Sequence, residues 1–551
     1  MKFFRVSWLL WACTALCLGQ MTPEQKAADF RDLAAVYAIN YGPVQWKREA
    51  LGIDLLRIGS WLEKVAATTD DLDFYEICVA YVASLDDAHD LFLLPSGFEA
   101  SLGFMADIYD GRVLIDTIDR KRLHETDYPF QVGDEVVSID GVGAQDLISA
   151  FRNYAIAGNP LSTARVAADS LTYRSQTVMP HAHMIGDSAS VAIQRQSGEL
   201  QMFSIPWKKT GLPITVVGPV ISPSSSSAPA FSGTTGYPPR PLARMRNMRV
   251  ARKRFLRGFG DTAPVFDLPQ NFQTRLGLNP FDFFYSGTFP SQGLLLGYIR
   301  IPSFDGGEFE SADFQNEIAF FQKNTDGLIL DITRNPGGDG CFAEDLLTRV
   351  NPAPFRSVGL EIRATRSWVS DFLLAVEDAM ATGAEGAVIQ QLQNNLLAVE
   401  QAFHQPSGRT APLPVCGPTL DLSPAKGAYT KPIMLLTDEF TASAADLFAA
   451  VMQDNQRALL FGHRTMGAGG NVNQYQTTTY SEGAGFVTES LMSRPNQFTM
   501  DGFPTSRYIE NAGVHPDIVQ DYMTSDNLLN NGRTFVKAFT GAMVTFINSK
   551  R

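Results

Sequence analysis

A serine stands at the start of a predicted helix, directly after a short apolar strand that is predicted over residues 432–437. The unpaired N–H groups and the dipole at a helix N-terminus favour negative charge, so an oxyanion that forms beside Ser443 would be stabilised. A serine at such a junction also commonly caps its helix. Taken alone, the position is more typical of a cap than of a nucleophile.

Two adjacent glycines, Gly337 and Gly338, follow a second apolar strand that is predicted over residues 328–332. Glycine lets the backbone approach a ligand closely and turn its N–H groups inward, which is how a loop supplies half of an oxyanion hole. An ordinary turn between a strand and a helix has the same composition. Taken alone, the two glycines are more typical of an ordinary strand-to-helix turn than of an oxyanion hole.

The two segments together resemble the tail-specific, or C-terminal processing, serine peptidases, a family that also includes the tricorn-type core peptidases. Residues 331–338 resemble the family's oxyanion loop, and residues 442–446 resemble its nucleophile motif. Residues 462–467 and 501–517 resemble two later motifs, in the family's order. The resemblance covers roughly residues 295–520, and the joint order of the motifs is far more specific than any one of them.

The resemblance implies an α/β fold with a crotonase-like, layered catalytic domain and the activity of an exported serine endopeptidase. It implies Ser443 as the nucleophile, and the backbone N–H groups of Gly337, Gly338 and Ala444 as the oxyanion hole. The partner would be a peptide or protein substrate. A competing hypothesis is a non-catalytic protein that binds peptides or apolar ligands on the same fold, because fold alone does not determine function.

One departure from the family bears on the general base. The C-terminal processing branch carries a lysine directly after the loop that residues 462–467 resemble, and this chain has Ala468 there. The tricorn-type branch instead uses a histidine that precedes its PDZ-like domain, and the resemblance implies His89 in that role. Near neutral pH an imidazole can accept the serine proton and return it to the leaving amine. By itself, a histidine beside three aspartates is more typical of an exposed position.

A carboxylate from the C-terminal part of the catalytic domain completes the tricorn-type site, and Glu510 is the residue that best matches it. Asp501 lies close by in sequence, and a glutamate before Asn-Ala-Gly is equally typical of a turn or an exposed charge. His463 and His515 lie inside motifs of the family, at positions that the family does not use for catalysis.

Three upstream and inserted segments must position these residues. Residues 21–97 are predicted to form a helical N-terminal domain, and residues 98–208 a PDZ-like, β-rich domain. Within the latter, Leu102, Gly103 and Phe104 resemble the loop that holds a peptide C-terminus, although a packing module that binds nothing would show the same pattern. Residues 209–290 are predicted as a linker or insertion.

The catalytic domain is predicted over residues 291–525, followed by a C-terminal helix over 526–551. A helical insertion at about 368–405 separates the glycine loop from the nucleophile strand, as a lid or an oligomer contact. The oligomeric state is open. Cys341 and Cys416 could pair in a disulfide, but a buried thiol is at least as compatible with the sequence.

The start of the chain and the overall charge limit where the protein acts and what it binds. Residues 1–20 combine basic residues, an apolar run and a small residue near the end, which is typical of a secretory signal peptide. We therefore expect a periplasmic or extracellular protein with no integral membrane segment in the mature chain. The formal net charge of −13 argues against a nucleic-acid partner. No His/Cys cluster has the spacing of metal ligands, so neither a metal nor a cofactor is expected.

Overall fold

The computed structural model of the protein describes residues 20–215, 257–500 and 502–551. The predicted signal peptide, apart from its last residue, lies outside the described residues, as do Asp501 and residues 216–256 of the predicted insertion. None of the helices in the described ranges combines the length and the hydropathy that a membrane span needs.

The helices are numbered in chain order: α1 (Pro23–Asn40), α2 (Val44–Leu51), α3 (Gly59–Ala66), α4 (Asp71–Ala83), α5 (Ala144–Phe151), α6 (Pro160–Asp169), α7 (Glu308–Asn324), α8 (Gly340–Val350), α9 (Arg366–Thr382), α10 (Gly386–Phe403), α11 (Ala444–Asp454), α12 (Ser525–Leu529) and α13 (Arg533–Lys550).

The strands are numbered in the same way: β1 (Leu91–Leu93), β2 (Glu99–Ser101), β3 (Phe104–Tyr109), β4 (Arg112–Ile118), β5 (Glu135–Ile139), β6 (Val142–Gly143), β7 (Tyr173–Ser175), β8 (Ser188–Gln194), β9 (Leu200–Pro206), β10 (Lys208–Thr210), β11 (Gln273–Leu276), β12 (Tyr285–Ser291), β13 (Leu294–Arg300), β14 (Gly327–Asp331), β15 (Phe355–Arg356), β16 (Gly359–Ile362), β17 (Leu413–Pro414), β18 (Asp421–Leu422), β19 (Ile433–Thr437), β20 (Ala458–Gly462), β21 (Val472–Gln476), β22 (Ala484–Thr488), β23 (Ser490–Phe498), β24 (Ser506–Tyr508) and β25 (Ile518–Val519).

The catalytic region is built on a mixed sheet in the order β11-β12-β13-β14-β19-β20-β25. Its first two pairings are antiparallel and the remaining four are parallel. Both central strands, β14 and β19, are buried at every residue, because helices cover the two faces of a parallel sheet. The predicted layered β/α arrangement is confirmed.

Different helices cover the two faces of this sheet. One face packs against α7, α8 and α11 in a core that includes Phe314, Leu347 and Phe448. The other face packs against α13, the predicted C-terminal helix, through Phe539 and Met543. The C-terminal helix is therefore part of the core and not an appendage.

The helical N-terminal domain comprises α1 to α4 and rests directly on the catalytic region. Asp29 on α1 accepts the N–H groups of Thr479, Tyr480 and Ser481, at 2.8 to 2.9 Å. The Tyr37 hydroxyl donates to the Phe486 carbonyl at 2.7 Å. After α4, strand β1 pairs antiparallel with β22 and so extends a sheet of the catalytic region.

The PDZ-like domain contains an antiparallel sheet in the order β3-β4-β5-β8-β9. Helices α5 and α6 pack against this sheet in an apolar core. Tyr109 and Leu114, on strands β3 and β4, belong instead to the core that α13 shares with the catalytic sheet. Strand β3 lies at the edge of the sheet, next to α6. The loop of Leu102 and Gly103 leads directly into this edge strand.

The helical insertion is a hairpin of α9 and α10 with a small core of its own, which includes Phe372 and Val399. Cys341 in the first turn of α8 forms a disulfide with Cys416, which follows the insertion. Of the alternatives that the sequence left open for these cysteines, the structure has the disulfide. Cys78 is a buried free thiol.

Candidate active site

Ser443 lies at the N-cap position of α11 and is 5% exposed. Its backbone has φ 58° and ψ −116°, whereas an ordinary N-cap residue is in the extended region. Such a conformation is costly for a residue with a Cβ, and strained residues of this kind cluster at active sites. The backbone geometry therefore favours a chemical role over a plain helix cap.

The turn at Ser443 is held by Asp446, which lies one turn into α11. Its Oδ2 accepts the N–H of Ser443 at 2.8 Å and that of Ala468 at 3.1 Å. Its Oδ1 accepts the N–H of Gly467 at 3.1 Å and the hydroxyl of Thr465. Burial raises the pKa of Asp446 to about 6, although all four hydrogen bonds lower it. The carboxylate thus ties the turn at Ser443, called the nucleophile turn after the predicted role of this serine, to the loop of residues 463–471 that follows β20.

The glycine loop packs directly against this turn. A Cβ at Gly337, where φ is 87°, would lie 2.6 Å from the Ser443 Cβ and 2.5 Å from the Ala442 carbonyl oxygen. Only glycine fits such an approach. The N–H of Gly337 donates to Asn335 Oδ1 at 2.8 Å, which leaves Gly338 and Ala444 as the predicted oxyanion-hole donors. Gly337 therefore allows the loop to pack closely against Ser443, and its N–H is not available as an oxyanion-hole donor.

His89 lies in the short loop between α4 and β1 and is 6% exposed, so the alternative of an exposed histidine is wrong. Asp87 Oδ1 accepts hydrogen bonds from the backbone N–H of His89 at 2.9 Å and from the Thr488 hydroxyl at 3.0 Å. Asp90 Oδ1 accepts the Thr488 N–H at 2.8 Å. Together with the pairing of β1 and β22, these bonds fix the histidine loop to the catalytic region.

The histidine loop and the nucleophile turn meet in one small apolar cluster. Ala88, the neighbour of His89, packs in this cluster with Ala442, the neighbour of Ser443. Ala468 and Met466 from the loop after β20 belong to the same cluster. Residues far apart in the sequence thus bring the predicted nucleophile and the predicted base into one region.

Glu510 is fully buried and reaches the same region from the C-terminal side. Its Oε2 accepts the N–H of Gly469 at 3.0 Å, next to the Ala468 that binds Asp446. Its Oε1 accepts the Lys47 ammonium at 2.6 Å. Burial raises the pKa of Glu510, and so does Asp87, while Lys47 lowers it. Its burial and its ion pair exclude the alternative of an exposed charge.

Asp446 and Lys47 are the residues of this region that sequence reasoning missed as functional candidates. Asp446 stands in the motif of residues 442–446, but the motif predicts no separate role for it. Lys47 has no sequence signal, because its partner Glu510 is 463 positions away. Nothing in an eight-residue helix indicates which distant carboxylate its lysine will meet.

The predicted peptide-binding loop lies at the start of strand β3. Leu102 is fully buried and its N–H donates to the Thr172 carbonyl at 2.9 Å, so this N–H is already bonded. Gly103 has φ 90°, and a Cβ there would lie 3.2 Å from a guanidinium nitrogen of Arg122. Phe104 begins the edge strand. A cation and an edge strand therefore meet at this loop.

The described residues contain one group of side chains with the spacing of metal ligands, formed by Asp70, Asp73 and His181 near the start of α4. His181 Nε2 is 3.2 Å from Asp73 Oδ1, within hydrogen-bonding distance. None of these three side chains belongs to the region around Ser443 described above.

Two family profiles and several known proteins match this chain. The sequence profile of peptidase family S41 matches residues 295–520, and that of the PDZ domain matches residues 98–213. A protein of Chlamydia pneumoniae is 26% identical and aligns with 96% of this chain and 91% of its own length. The carboxyl-terminal-processing protease of Synechocystis is 24% identical over 46% of this chain and 44% of its own length.

Among solved structures, mature CPAF in complex with lactacystin superimposes with a TM-score of 0.75 at 21% identity. The superposition covers 96% of this chain and 99% of that chain. At this level of identity the likeness shows a shared fold, which extends over the helical, PDZ-like and catalytic regions.

Replacing Gly337 by alanine is expected to lower kcat/KM by about 10²-fold or more, because the added methyl group would displace the Ser443 turn and small misplacements cost that much. Gly383 is a matched control, since it has φ 71° and nothing within 4 Å of where its Cβ would lie. Gly383→Ala thus carries a similar backbone strain, about 1–2 kcal/mol, without the collision. Casein hydrolysis and thermal midpoints of the two variants are the measurements. Wild-type activity in Gly337→Ala would show that the close approach is not needed.

Proposed function

Since the chain is a serine-type peptidase whose residues 295–520 belong to peptidase family S41, we propose that it hydrolyses internal peptide bonds. In this proposal Ser443 is the nucleophile, His89 is the base, and Glu510 is the carboxylate that orients the base. The observation that carries this proposal is the strained Ser443 turn, packed against a glycine loop on one side and against the histidine loop on the other.

In the proposed mechanism, Ser443 Oγ attacks the carbonyl carbon of the scissile bond while His89 takes its proton. The N–H groups of Gly338 and Ala444 stabilise the negative charge that forms on the carbonyl oxygen. His89 then protonates the leaving amine as the C–N bond breaks. In the second half of the reaction, His89 takes a proton from a water molecule, which attacks the acyl carbon. The ester bond to Ser443 then breaks, and His89 returns the proton to Ser443 Oγ.

The surroundings of Ala468 support a histidine in place of a lysine. The Ala468 side chain is 1% exposed and packs beside Ala88 and Ala442, and its N–H is bonded to Asp446. A residue without a titratable group therefore occupies the position at which the C-terminal processing branch carries its base.

We further propose that the protein is exported and acts on extended peptides that dock on the PDZ-like domain. The signal-like composition of residues 1–20 supports export. The edge strand β3 can pair with a peptide in an extended conformation. The Arg122 guanidinium beside Gly103 supplies a positive charge for a peptide carboxylate.

Ser443→Ala is expected to abolish hydrolysis of casein and labelling by a fluorophosphonate, because the variant lacks the oxygen that forms the bond. Its thermal midpoint should change little, since a side chain at a helix start contributes at most a cap. Casein turnover, labelling and thermal unfolding are measured side by side. Cleavage within tenfold of the wild type would place the nucleophile elsewhere, and a wild type that neither labels nor cleaves would favour the non-catalytic alternative.

His89→Ala is expected to lower kcat/KM by on the order of 10³-fold or more, because the serine hydroxyl then lacks its base. His515→Ala serves as the control, since His515 Nε2 lies 2.8 Å from Met500 Sδ in a contact that the mechanism does not use. Ala468→Lys in the His89→Ala background should not restore activity, since the Ala468 side chain packs in an apolar cluster that is not built to hold a base. Full activity in His89→Ala would refute the assignment.

Peptides with a free C-terminal carboxylate are expected to bind the PDZ-like domain more tightly than the same peptides with a C-terminal amide, because the Arg122 guanidinium beside Gly103 can attract a carboxylate but not an amide. Calorimetry with the full chain carrying Ser443→Ala avoids cleavage during the titration. Arg122→Met should remove most of the difference between the two peptides. Equal affinities in the parent protein would refute carboxylate capture.

A further inference from the structure

We propose that Lys47, on helix α2 of the helical N-terminal domain, is a positioning residue for peptide hydrolysis that holds the Glu510 carboxyl group in place. This inference rests on the proposed function, in which Glu510 orients His89. It extends that function by making the N-terminal domain supply part of the catalytic machinery.

The Lys47 side chain is enclosed and fully bonded. It is 1% exposed, and its Nζ donates to Glu510 Oε1 at 2.6 Å, to Asn511 Oδ1 at 2.7 Å and to the Asp86 carbonyl at 2.9 Å. An ammonium group has three N–H donors and no acceptor, so these bonds use all of them. Lys47 is therefore not a general base, because a base needs a free lone pair at the substrate.

Two neighbouring groups make this contact specific. The Trp46 indole N–H donates to the Glu510 carbonyl at 3.1 Å, so adjacent residues of α2 hold both the backbone and the side chain of Glu510. The Asn511 amide donates to the Asp86 carbonyl at 2.7 Å, which is also an acceptor for Lys47. Lys47 thus joins the Glu510 segment to the loop that carries His89.

The ammonium also balances negative charge that would otherwise be buried alone. The carboxyl group of Glu510 interacts electrostatically with several titratable groups from other elements. These groups are Lys47 on α2, Tyr41 after α1, and Asp87 and Asp90 in the histidine loop. Lys47 is the cation among them, and its pKa is itself raised by Glu510, Asp87 and Asp86 despite its burial. Removing a cation from a buried pair leaves an uncompensated carboxylate, which prefers to take up a proton.

The sign of the pH effect follows from this balance. Since Lys47 lowers the pKa of Glu510, the loss of Lys47 raises that pKa further. Activity that needs ionised Glu510 then appears only at higher pH. The acid limb of the profile of kcat/KM against pH should move to higher pH, by about one unit or more.

The test compares Lys47→Met with Lys26→Met. Methionine keeps an unbranched stem and removes the ammonium. Lys26 is a matched control in the same domain, because it is 4% exposed and its Nζ contacts the Asp70 carbonyl at 2.7 Å and Asp71 at 3.4 Å, away from the Glu510 segment. Casein hydrolysis is measured across pH, beside thermal midpoints.

We expect Lys47→Met to lower kcat/KM at neutral pH by about 10²-fold, the cost of a misplaced catalytic group, and to shift the acid limb. Lys26→Met should lower the thermal midpoint but leave the acid limb where it is in the wild type. In a Glu510→Gln background, the further loss caused by Lys47→Met should be under about threefold, because contacting residues that act through one another are not additive. The double variant also leaves neither charge unpaired, so it stays informative if Lys47→Met alone fails to fold.

Two results would contradict the inference, and they are distinguishable from a failure of the proposed function. An unshifted acid limb in Lys47→Met, or losses that simply add in the double variant, would reduce Lys47 to a structural residue in an active enzyme. A wild-type protein that shows neither casein hydrolysis nor fluorophosphonate labelling would overturn the proposed function and this inference together.

Discussion

The structure of the active region depends on one buried carboxylate, that of Asp446. Four donors converge on it, and they come from the nucleophile turn and from the loop after β20. A carboxylate that accepts several N–H groups compensates part of its own desolvation, and it fixes the backbone segments that carry those groups. The strained backbone of Ser443 persists because several surrounding contacts hold it in one conformation. Asp446, in the first turn of α11, provides one of these contacts by accepting the Ser443 N–H.

The PDZ-like domain is fastened to the same turn from the other side. Arg165 on α6 forms buried ion pairs with Asp107 of its own domain and with Glu439, four residues before Ser443. The Ser162 hydroxyl donates to the Glu439 carbonyl at 2.7 Å. Buried ion pairs are weak evidence for stability, since desolvation offsets most of the attraction, but they demand one geometry. A domain that the chain places before the catalytic region therefore contributes to the shape of the nucleophile turn.

Sequence alone predicts those features of the candidate site that depend on local backbone chemistry, although it does not show that the Gly337 N–H is already bonded to Asn335. Ser443 and Gly337 stand in short motifs, because a sharp strand-to-helix turn needs particular residues at adjacent positions. Lys47 and Asp446 show the limit of such reasoning. The ion pair of Lys47 and Glu510 joins opposite ends of the chain, and its existence follows from how α2 docks on the catalytic region rather than from any local pattern. The disulfide of Cys341 and Cys416 could be stated only as an alternative for the same reason, since pairing depends on the distance between two backbones.

The packing around Ala468 explains why a base lysine at position 468 and a base histidine at position 89 exclude each other in this chain. Ala468 shares its apolar cluster with Ala88 and Ala442, and Gly158 packs there as well, since a Cβ on it would lie 3.3 Å from that of Ala88. A lysine at position 468 would have to bury its stem and ammonium where the histidine loop now lies. Small residues on three converging segments thus let the loop carrying His89 approach the nucleophile turn. The absence of a lysine and the presence of a buried histidine are two consequences of the same close packing.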